Sequence, residues 1–406
     1  MWEGNQLDNV EFIPEPSDYR ILSAVDSATV GHQEGWRSEV LGWAPSKAPV
    51  ISSPRRTGQR VINVGIFLII IMILWAIWRS QLLFIEIPPP TSEWAFEDSG
   101  ARDLQDMGYT GAGIRVCMVD TGIDLSHPDI EGVDLVFKDF ISGSSEPSDR
   151  GVLAHGTMMA GILVSDGYLE GVAPGVTLGM AAALDDDGEG GNSGDQDIVS
   201  SAISWCWKSF GADIISLSLG GESNPNASSQ GPTSNAVRQA LANGVYVVAA
   251  AGNDGGSDDD GIVSTPSDVE QVISVGALNE QGEIWEGSSL GYDFAAGSNE
   301  SLDPHRKPEI SAPGVSIIST AFNEEYYSST GTSDATVFVS GILALILEAE
   351  PGLMNPDSGC IDGVKTALMT SAQPLEEGIN HHPRWGYGSI SGADWLEEIR
   401  SSDSCE

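Results

Sequence analysis

Four short segments with reactive side chains are spread over more than 200 residues of the chain. In order they supply a carboxylate, an imidazole, a side-chain amide and a hydroxyl: Val119–Gly122, His155–Thr157, Ala250–Asn253 and Gly331–Ser333. A serine hydroxyl is a poor nucleophile at neutral pH, so it needs an imidazole to accept its proton and a carboxylate to orient that imidazole. The oxyanion formed by attack on a carbonyl needs preorganised donors, which an amide can supply. These groups together predict acyl-transfer chemistry.

Each reactive group has a distinct predicted role in that chemistry. We predict Ser333 as the nucleophile, His155 as base and then acid, and Asp120 as the carboxylate that orients the imidazole. Asn253 and the backbone N–H of Ser333 are the predicted oxyanion donors, and Thr332 is expected to assist them.

The surrounding sequence predicts the elements that position these groups. The apolar run Ile114–Val119 predicts a buried strand of a parallel sheet. Asp120 then lies at the carboxyl end of a strand, where ligands of open α/β sheets gather. Apolar stretches predict helices over His155–Val164 and Ala335–Glu348. Ser333 therefore precedes a helix N-terminus, which favours developing negative charge.

These motifs resemble those of the subtilisin-like serine proteases, the subtilases. The order Asp, His, Ser is the order found in subtilisin, and the resemblance covers about Trp94 to Leu396, roughly three quarters of the chain. Further matching segments are Gly108–Gly111, Ser126–Asp129, Gly171–Pro174, Ser218–Gly221, Val272–Ala277, Ser311–Val315 and Gly386–Gly388. The resemblance implies an α/β fold of three layers, with a mostly parallel central sheet flanked by helices. It also implies a serine endopeptidase that hydrolyses peptide bonds of protein or peptide substrates through an acyl-enzyme, with no cofactor required for the chemistry.

The resemblance further implies where the substrate binds. In subtilases the edge that follows the strand Ile214–Leu219 pairs with the substrate backbone as an added strand. By this resemblance the substrate-binding residues are Ser218, Leu219, Gly220, Ala251 and Gly252. A plain core strand is the alternative interpretation of Ile214–Leu219.

Two positions depart from the family pattern. Asp334 follows Ser333, where the family usually has Met-Ala and then a proline. A carboxylate there could oppose the oxyanion, so we expect slow or conditional activity. The loop Ser165–Glu170 is shorter than the loop that often carries calcium in the family, and we expect that metal site to be absent. The acidic loops Asp185–Gly190 and Asp258–Asp260 are interpreted as solvated charge, with cationic substrates or a structural calcium ion as alternatives.

Two other function classes stay open beside the hydrolase. Asp334 makes a catalytically silent surface-binding module conceivable, although the complete triad argues against it. A peptide acyl transferase, a ligase or cyclase, would use the same acyl-enzyme with an amine as acceptor. Reaction with an acylating or phosphonylating probe tests the first alternative, and product masses with added amines test the second.

The composition limits the partners. Eighteen Lys and Arg against 59 Asp and Glu give a formal net charge of −41. This charge argues against nucleic acid as a partner and suggests a salty environment, where screening relieves repulsion. With 406 residues, 41% of them hydrophobic, the chain suffices for one large α/β core without disulfides.

The segment Val61–Trp78 contains 18 residues without a charge. As a helix it would be about 27 Å long, close to the thickness of a bilayer core, so it predicts an uncleaved membrane anchor. Basic residues precede the segment and acidic residues follow it, which predicts a cytoplasmic N-terminus and a peptidase domain outside the cell membrane. The predicted regions are a disordered tail at 1–60, the anchor at 61–78, a Pro-rich spacer at 79–93, the peptidase domain at 94–398 and a C-terminal tail at 399–406.

The short segment between the predicted anchor and the peptidase domain, and the four cysteines, lead to further expectations. The segment from Arg79 to about Asp103 is too short for the inhibitory prodomain of many secreted subtilases. Cys117 is expected to be a buried thiol, and Cys360 and Cys405 are candidates for a disulfide outside the membrane.

Overall fold

The computed structural model describes residues 56–79, 90–221, 231–257, 259–291, 303–402 and 405. The chain divides into two compact units, Met1–Ile87 and Pro88–Glu406. Most of the predicted tail (1–55) and of the Pro-rich spacer (80–89) lies outside the described residues.

The described part of the first unit is one helix, α1, at Arg56–Arg79. It contains the predicted anchor, and its apolar side chains are exposed, Phe67 by 61% and Trp75 by 61%. Among the described residues, only Thr332–Ala349 is a helix long and apolar enough by length and composition to cross a bilayer, but it is mostly buried in the protein. The apolar stretch described in α1, Arg60–Ala76, has fewer than the 18 residues taken as the minimum for a spanning helix.

The second unit is built on a seven-stranded sheet whose strand pairs are all parallel. Its strands lie in the order β2-β3-β1-β6-β7-β8-β9, and two short antiparallel pairs, β4-β5 and β10-β11, lie outside it. The strands are β1 Arg115–Asp120, β2 Leu135–Asp139, β3 Thr177–Ala182, β4 Asp185–Asp186, β5 Asn192–Ser193, β6 Ile214–Leu217, β7 Tyr246–Ala250, β8 Ile273–Leu278, β9 Ile310–Pro313, β10 Val315–Thr320 and β11 Tyr326–Thr330.

Helices flank this sheet. They are α2 Glu93–Asp98, α3 Ala101–Asp106, α4 His155–Val164, α5 Gln196–Trp205, α6 Pro232–Leu241, α7 Thr332–Ala349, α8 Ser358–Ser371 and α9 Gly392–Ser401. Helix α7 packs along β6, β7, β8 and β9 and also contacts α4. Strands β6, β7 and β8 are buried along their whole length, as expected for a parallel sheet covered on both faces. The α/β fold with a mostly parallel, helix-flanked sheet is confirmed.

The elements predicted around the reactive groups are present with small shifts. Strand β1 ends on Asp120, and α4 has the predicted bounds. Helix α7 begins at Thr332, before the predicted start at Ala335, so Ser333 lies in its first turn. The predicted acidic loop at Asp185 begins with the short strand β4.

The cysteines form two disulfides. Cys360 pairs with Cys405, which confirms that expectation. The prediction of a free thiol at Cys117 was wrong, because Cys117 on β1 pairs with Cys206, 89 residues away. The turn that follows α5 passes beside β1 and brings the two Cα atoms to 5.7 Å.

Candidate active site

Asp120 and His155 contact each other directly. The Nδ1 atom of His155 lies 2.7 Å from Oδ1 of Asp120, which is fully buried at the end of β1. Oδ1 also accepts a hydrogen bond from the Thr121 N–H at 2.7 Å. Oδ2 of Asp120 is buried and has no hydrogen-bond partner among the described residues. The carboxylate therefore relies on the imidazole to balance its charge.

The environment of His155 favours the protonated ring. Burial lowers the pKa of His155, but the charge of Asp120, the hydrogen bond to it and the charges of Asp334 and Asp149 outweigh burial and raise the pKa to about 9. A base of this strength accepts a proton readily. At neutral pH the ring is therefore protonated, and it must lose this proton before it can act as a base.

Another carboxylate, that of Asp149, links the end of β1 to the start of α4. Its Oδ1 accepts from the Thr121 hydroxyl at 2.7 Å, and its Oδ2 accepts from the N–H and hydroxyl of Thr157 at 2.8 and 2.6 Å. The Thr121 hydroxyl accepts in turn from the Gly156 N–H at 2.8 Å. Thr121 directly follows Asp120, and Thr157 lies two residues after His155, so Asp149 fixes the spacing of that pair.

Ser333 lies in the first turn of α7 and its side chain is 9% exposed. Its hydroxyl donates to the carbonyl oxygen of Ser218 at 3.3 Å, and the Ser218 hydroxyl donates to the carbonyl oxygen of Ser333 at 3.2 Å. Ser333 and His155 line the same cleft. Hydrogen bonds between a nucleophile and its base are often long without substrate and tighten in the complex.

The Asn253 amide is oriented by Thr332. Oδ1 of Asn253 accepts from the N–H of Thr332 at 3.0 Å and from its hydroxyl at 2.8 Å. With Oδ1 held in this way, the amide N–H groups point away from Thr332. A Cβ on Gly331 would lie 3.3 Å from Nδ2, so glycine keeps the approach to this donor open. Thr332 is fully buried and acts on the site through Asn253.

These residues surround a cleft of about 530 Å³ at the carboxyl ends of the strands. Four of the five predicted substrate-binding residues line it, namely Ser218, Leu219, Gly220 and Gly252. Ala251 does not, because it is fully buried and its backbone is paired: its N–H donates to Val275 and its carbonyl accepts from Ser264. Strand β6 ends at Leu217, so Ser218–Gly220 form an edge beyond the sheet.

Asp334 points toward β11. It is 1% exposed, and its Oδ1 accepts a hydrogen bond from the Ser329 hydroxyl. Burial raises the pKa of Asp334 to about 7, although the hydrogen bond from Ser329 and the charge of His155 act in the opposite direction. Ser329 lines a depression beside His155 that Asn253 does not reach.

The acidic loops are interpreted from sequence as solvated charge, with a bound cation as an alternative. Side-chain oxygens of Asp254, Asp259 and Asp260 lie within 4.8 Å of one another, and Asp258 lies outside the described residues. The Asp259 carboxylate is already used by the N–H groups of Gly261 and Leu290 and by Arg384 at 3.6 Å. One of the three carboxylates, that of Asp259, is therefore engaged by the protein itself.

The short loop after α4 closes on another carboxylate. Asp129 accepts hydrogen bonds from the N–H groups of Tyr168 and Leu169 at 2.9 and 3.0 Å and from the Tyr326 hydroxyl at 2.8 Å. These hydrogen bonds hold the loop 165–170 and the start of β11 against Asp129.

Sequence reasoning missed three residues near the cleft. Asp149 stands in a loop without periodicity, and Ser329 belongs to a polar strand, so hydrophobic periodicity does not distinguish them. Ser264 narrows the cleft, because a Cβ on Gly220 would lie 2.6 Å from the Ser264 Cβ. The only available signal was the position of Ser329 and Asp149 close to the Gly331–Ser333 and His155–Thr157 motifs in the sequence.

Known proteins share this sequence pattern. The sequence model of the Subtilase family matches residues 111–388. Subtilisin DY of Bacillus licheniformis is 37% identical over 257 residues, which cover 62% of this chain and 83% of that protein. Subtilisin NAT of Bacillus subtilis subsp. natto is 34% identical over 262 residues, covering 63% of this chain and 61% of that protein. The major intracellular serine protease of Bacillus subtilis is 36% identical over 256 residues, covering 62% of this chain and 73% of that protein. The chain therefore belongs to the subtilase family of serine endopeptidases.

Proposed function

We propose that this serine endopeptidase hydrolyses protein or peptide substrates through Asp120, His155 and Ser333, with Asn253 as an oxyanion donor. The observation that carries the proposal is the pairing of His155 with buried Asp120 at 2.7 Å beside a cleft that also contains Ser333. A histidine with a purely structural role is not expected to line a cleft together with an oriented amide and a serine at a helix N-terminus.

The proposed reaction uses protein groups alone. His155 takes the Ser333 proton as Oγ attacks the scissile carbonyl, and Asp120 stabilises the imidazolium. The oxyanion accepts hydrogen bonds from Asn253 Nδ2 and the Ser333 N–H, which points out of the first turn of α7. His155 then protonates the leaving amine, which gives an acyl-enzyme, and water attacks by the same route in reverse. No step requires a cofactor.

The cleft favours an uncharged substrate side chain. Although the chain carries a net charge of −41, the described residues that line the cleft include no Asp, Glu, Lys or Arg. Leu184, Val199 and Leu219 supply apolar surface, while Ser264 limits the depth. We expect small or medium uncharged residues before the cleaved bond, since burying an unpaired charge in such a cleft is costly. A peptide library varied at that position tests this, and a preference for Arg or Lys would contradict it.

We also propose that α1 anchors the protein in the cell membrane with the peptidase domain outside. The helix has 24 residues, which gives a length of about 36 Å, and its exposed apolar side chains lie all around it. Alkaline extraction should leave the full chain in the membrane pellet. Protease added to intact cells should remove a C-terminal epitope and spare an N-terminal one. Recovery of the chain in the soluble fraction, or loss of the N-terminal epitope, would contradict the anchor or its orientation.

Labelling with a fluorophosphonate probe tests the catalytic proposal. The full chain in detergent should react at Ser333, so Ser333→Ala should abolish labelling and His155→Ala should slow it strongly. Ser340→Ala is the matched control, since Ser340 is a fully buried serine on the same helix that bonds to Ser216 at 3.0 Å, away from the cleft. Unchanged labelling of Ser333→Ala, or no labelling of a folded wild-type sample, would refute the assignment.

A further inference from the structure

Asp334 is a buried carboxylate next to the nucleophile that the proposed reaction does not use. It lies in the first turn of α7, and its contact with Ser329 joins that turn to β11. The residues of β11 beside it, Tyr327 to Thr330, line a depression of about 510 Å³ together with His155. Asp334 therefore lies behind the β11 residues that line this depression beside His155, and not at the Asn253 amide.

Charged groups face His155 from three elements. Asp120 comes from β1 and occupies Nδ1 at 2.7 Å, Asp149 comes from the loop before α4, and Asp334 comes from α7. Asp149 accepts hydrogen bonds from Thr121, Gly151 and Thr157. Asp334 has one hydroxyl donor, Ser329, and is held at the N-terminus of a helix, which favours its ionised form. Hydrogen bonds therefore compensate the charge of Asp334 less fully than that of Asp149.

We propose that Asp334 is a positioning residue that acts through His155: its ionised carboxylate stabilises the imidazolium, while its hydrogen bond with Ser329 holds β11 against α7. The proposal rests on the proposed catalytic roles of His155 and Ser333. It replaces the expectation that this carboxylate acts mainly against the oxyanion, because Asp334 is hydrogen-bonded on the β11 side.

The consequence is a specific pH dependence. His155 must be neutral to act as base, so activity rises with pH as the ring loses its proton. With pKa values of about 7 for Asp334 and about 9 for His155, Asp334 is ionised where His155 titrates. Removing the Asp334 charge lowers the pKa of His155, which moves the acidic limb of the profile to lower pH. It also weakens the stabilisation of the imidazolium, so the plateau of the profile falls.

The test compares kcat/KM against pH for the full chain and two variants. Asp334→Asn keeps the size and the ability to hydrogen-bond with Ser329 but removes the charge. Ser329→Ala keeps the charge but removes the hydrogen bond. We expect the acidic limb of Asp334→Asn to lie roughly one pH unit below that of the wild type, at the lower end of shifts caused by an opposite charge. Ser329→Ala should keep its limb within a few tenths of a unit of the wild type. A limb of Asp334→Asn that coincides with the wild type, or lies at higher pH, would overturn the proposal, whatever happens to the plateau.

A second measurement does not depend on turnover. Titration of the His155 ring by NMR of histidine-labelled full chain, with His155→Gln to assign the signal, gives its pKa in wild type and in Asp334→Asn. A drop of the same size supports the proposal even if the wild type proves inactive, and an unchanged pKa overturns it. Inactivity of the wild type would instead count against the proposed function, so the two failures are distinguishable.

Discussion

Replacing Asp149 by alanine should destabilise the fold and lower activity together, because this carboxylate joins the end of β1, which carries Asp120, to the start of α4, which carries His155. Asp149 accepts hydrogen bonds from Thr121, from the Gly151 N–H at 2.8 Å, and from both the N–H and the hydroxyl of Thr157. Its own burial raises its pKa, despite these hydrogen bonds, so part of their benefit is offset by desolvation.

The size of the effect follows from the donors left behind. The two threonine hydroxyls can turn to other acceptors, but the N–H groups of Gly151 and Thr157 cannot. Each buried donor left unsatisfied costs about 1–3 kcal/mol, so Asp149→Ala should lower the free energy of unfolding by about 2–6 kcal/mol. For a domain of this size the melting temperature should fall by roughly 3–9 °C. Asp149→Asn keeps one acceptor oxygen and should lose about half as much.

Activity should fall further than stability alone requires. Even a small displacement of a catalytic group can cost up to about 100-fold in rate. We therefore expect kcat/KM of Asp149→Ala to fall about 10–100-fold at temperatures where the variant is folded. Differential scanning fluorimetry and hydrolysis of a chromogenic peptide by the full chain in detergent measure the two quantities.

Asp134→Ala is the matched control for this experiment. Asp134 is an exposed aspartate, and the Thr177 hydroxyl donates to it at 2.7 Å, remote from the catalytic loops. Its removal should change stability by no more than about 0.5 kcal/mol. If Asp149→Ala matched Asp134→Ala in both melting temperature and kcat/KM, the loops would not depend on this carboxylate and the reasoning would be refuted.

Three further outcomes are expected. Asn253→Ala should lower kcat by about 10²–10³-fold, the loss known for such a donor in subtilisin, with little change in KM; a loss under tenfold would argue against its oxyanion role. Replacing Cys117 and Cys206 by alanine opens a loop of 89 residues and should lower the free energy of unfolding by about 4 kcal/mol in denaturant titrations, while a loss below about 1 kcal/mol would contradict a stabilising cross-link. The raised pKa of Asp334 means that the folded chain holds this proton more tightly than the unfolded chain, so its contribution to stability is lost as pH rises from about 4 to 7. Asp334→Asn should therefore gain stability relative to wild type at pH 8 compared with pH 4, by up to about 4 kcal/mol, and an equal difference at both pH values would contradict the burial of the charge.

The parts of the site that sequence predicted are those with a local signal. The apolar run before Asp120 and the apolar stretch after His155 correspond to β1 and α4, because hydrophobic periodicity reports burial within one element. Helix α7 starts earlier than its apolar stretch, since Thr332 to Asp334 are buried by contacts with other loops and not by their own hydrophobicity.

The features of the site that the sequence could not predict depend on contacts between segments that are distant in the sequence. Nothing near Cys117 indicates that a turn 89 residues later will lie beside it. Ala251 is next to reactive residues in the sequence, yet its backbone N–H and carbonyl are hydrogen-bonded to Val275 and Ser264 and are not free to bind substrate. Asp149 lies only six residues before His155, but its role appears when β1 and α4 place Thr121 and Thr157 on either side of it.

The acidity of the whole chain and the acidity of the site act on different scales. The net charge of −41 is spread over many surface carboxylates, whose fields decay within about 8 Å at physiological salt. Asp120 and Asp334 are buried next to or near the imidazole, where salt screens them much less. Changing the ionic strength should therefore alter repulsion across the surface while leaving the proton affinity of His155 nearly constant. If His155 is the base, as proposed, its strength should change little with salt, because it is set by three nearby carboxylates, Asp120, Asp149 and Asp334, and not by the surface.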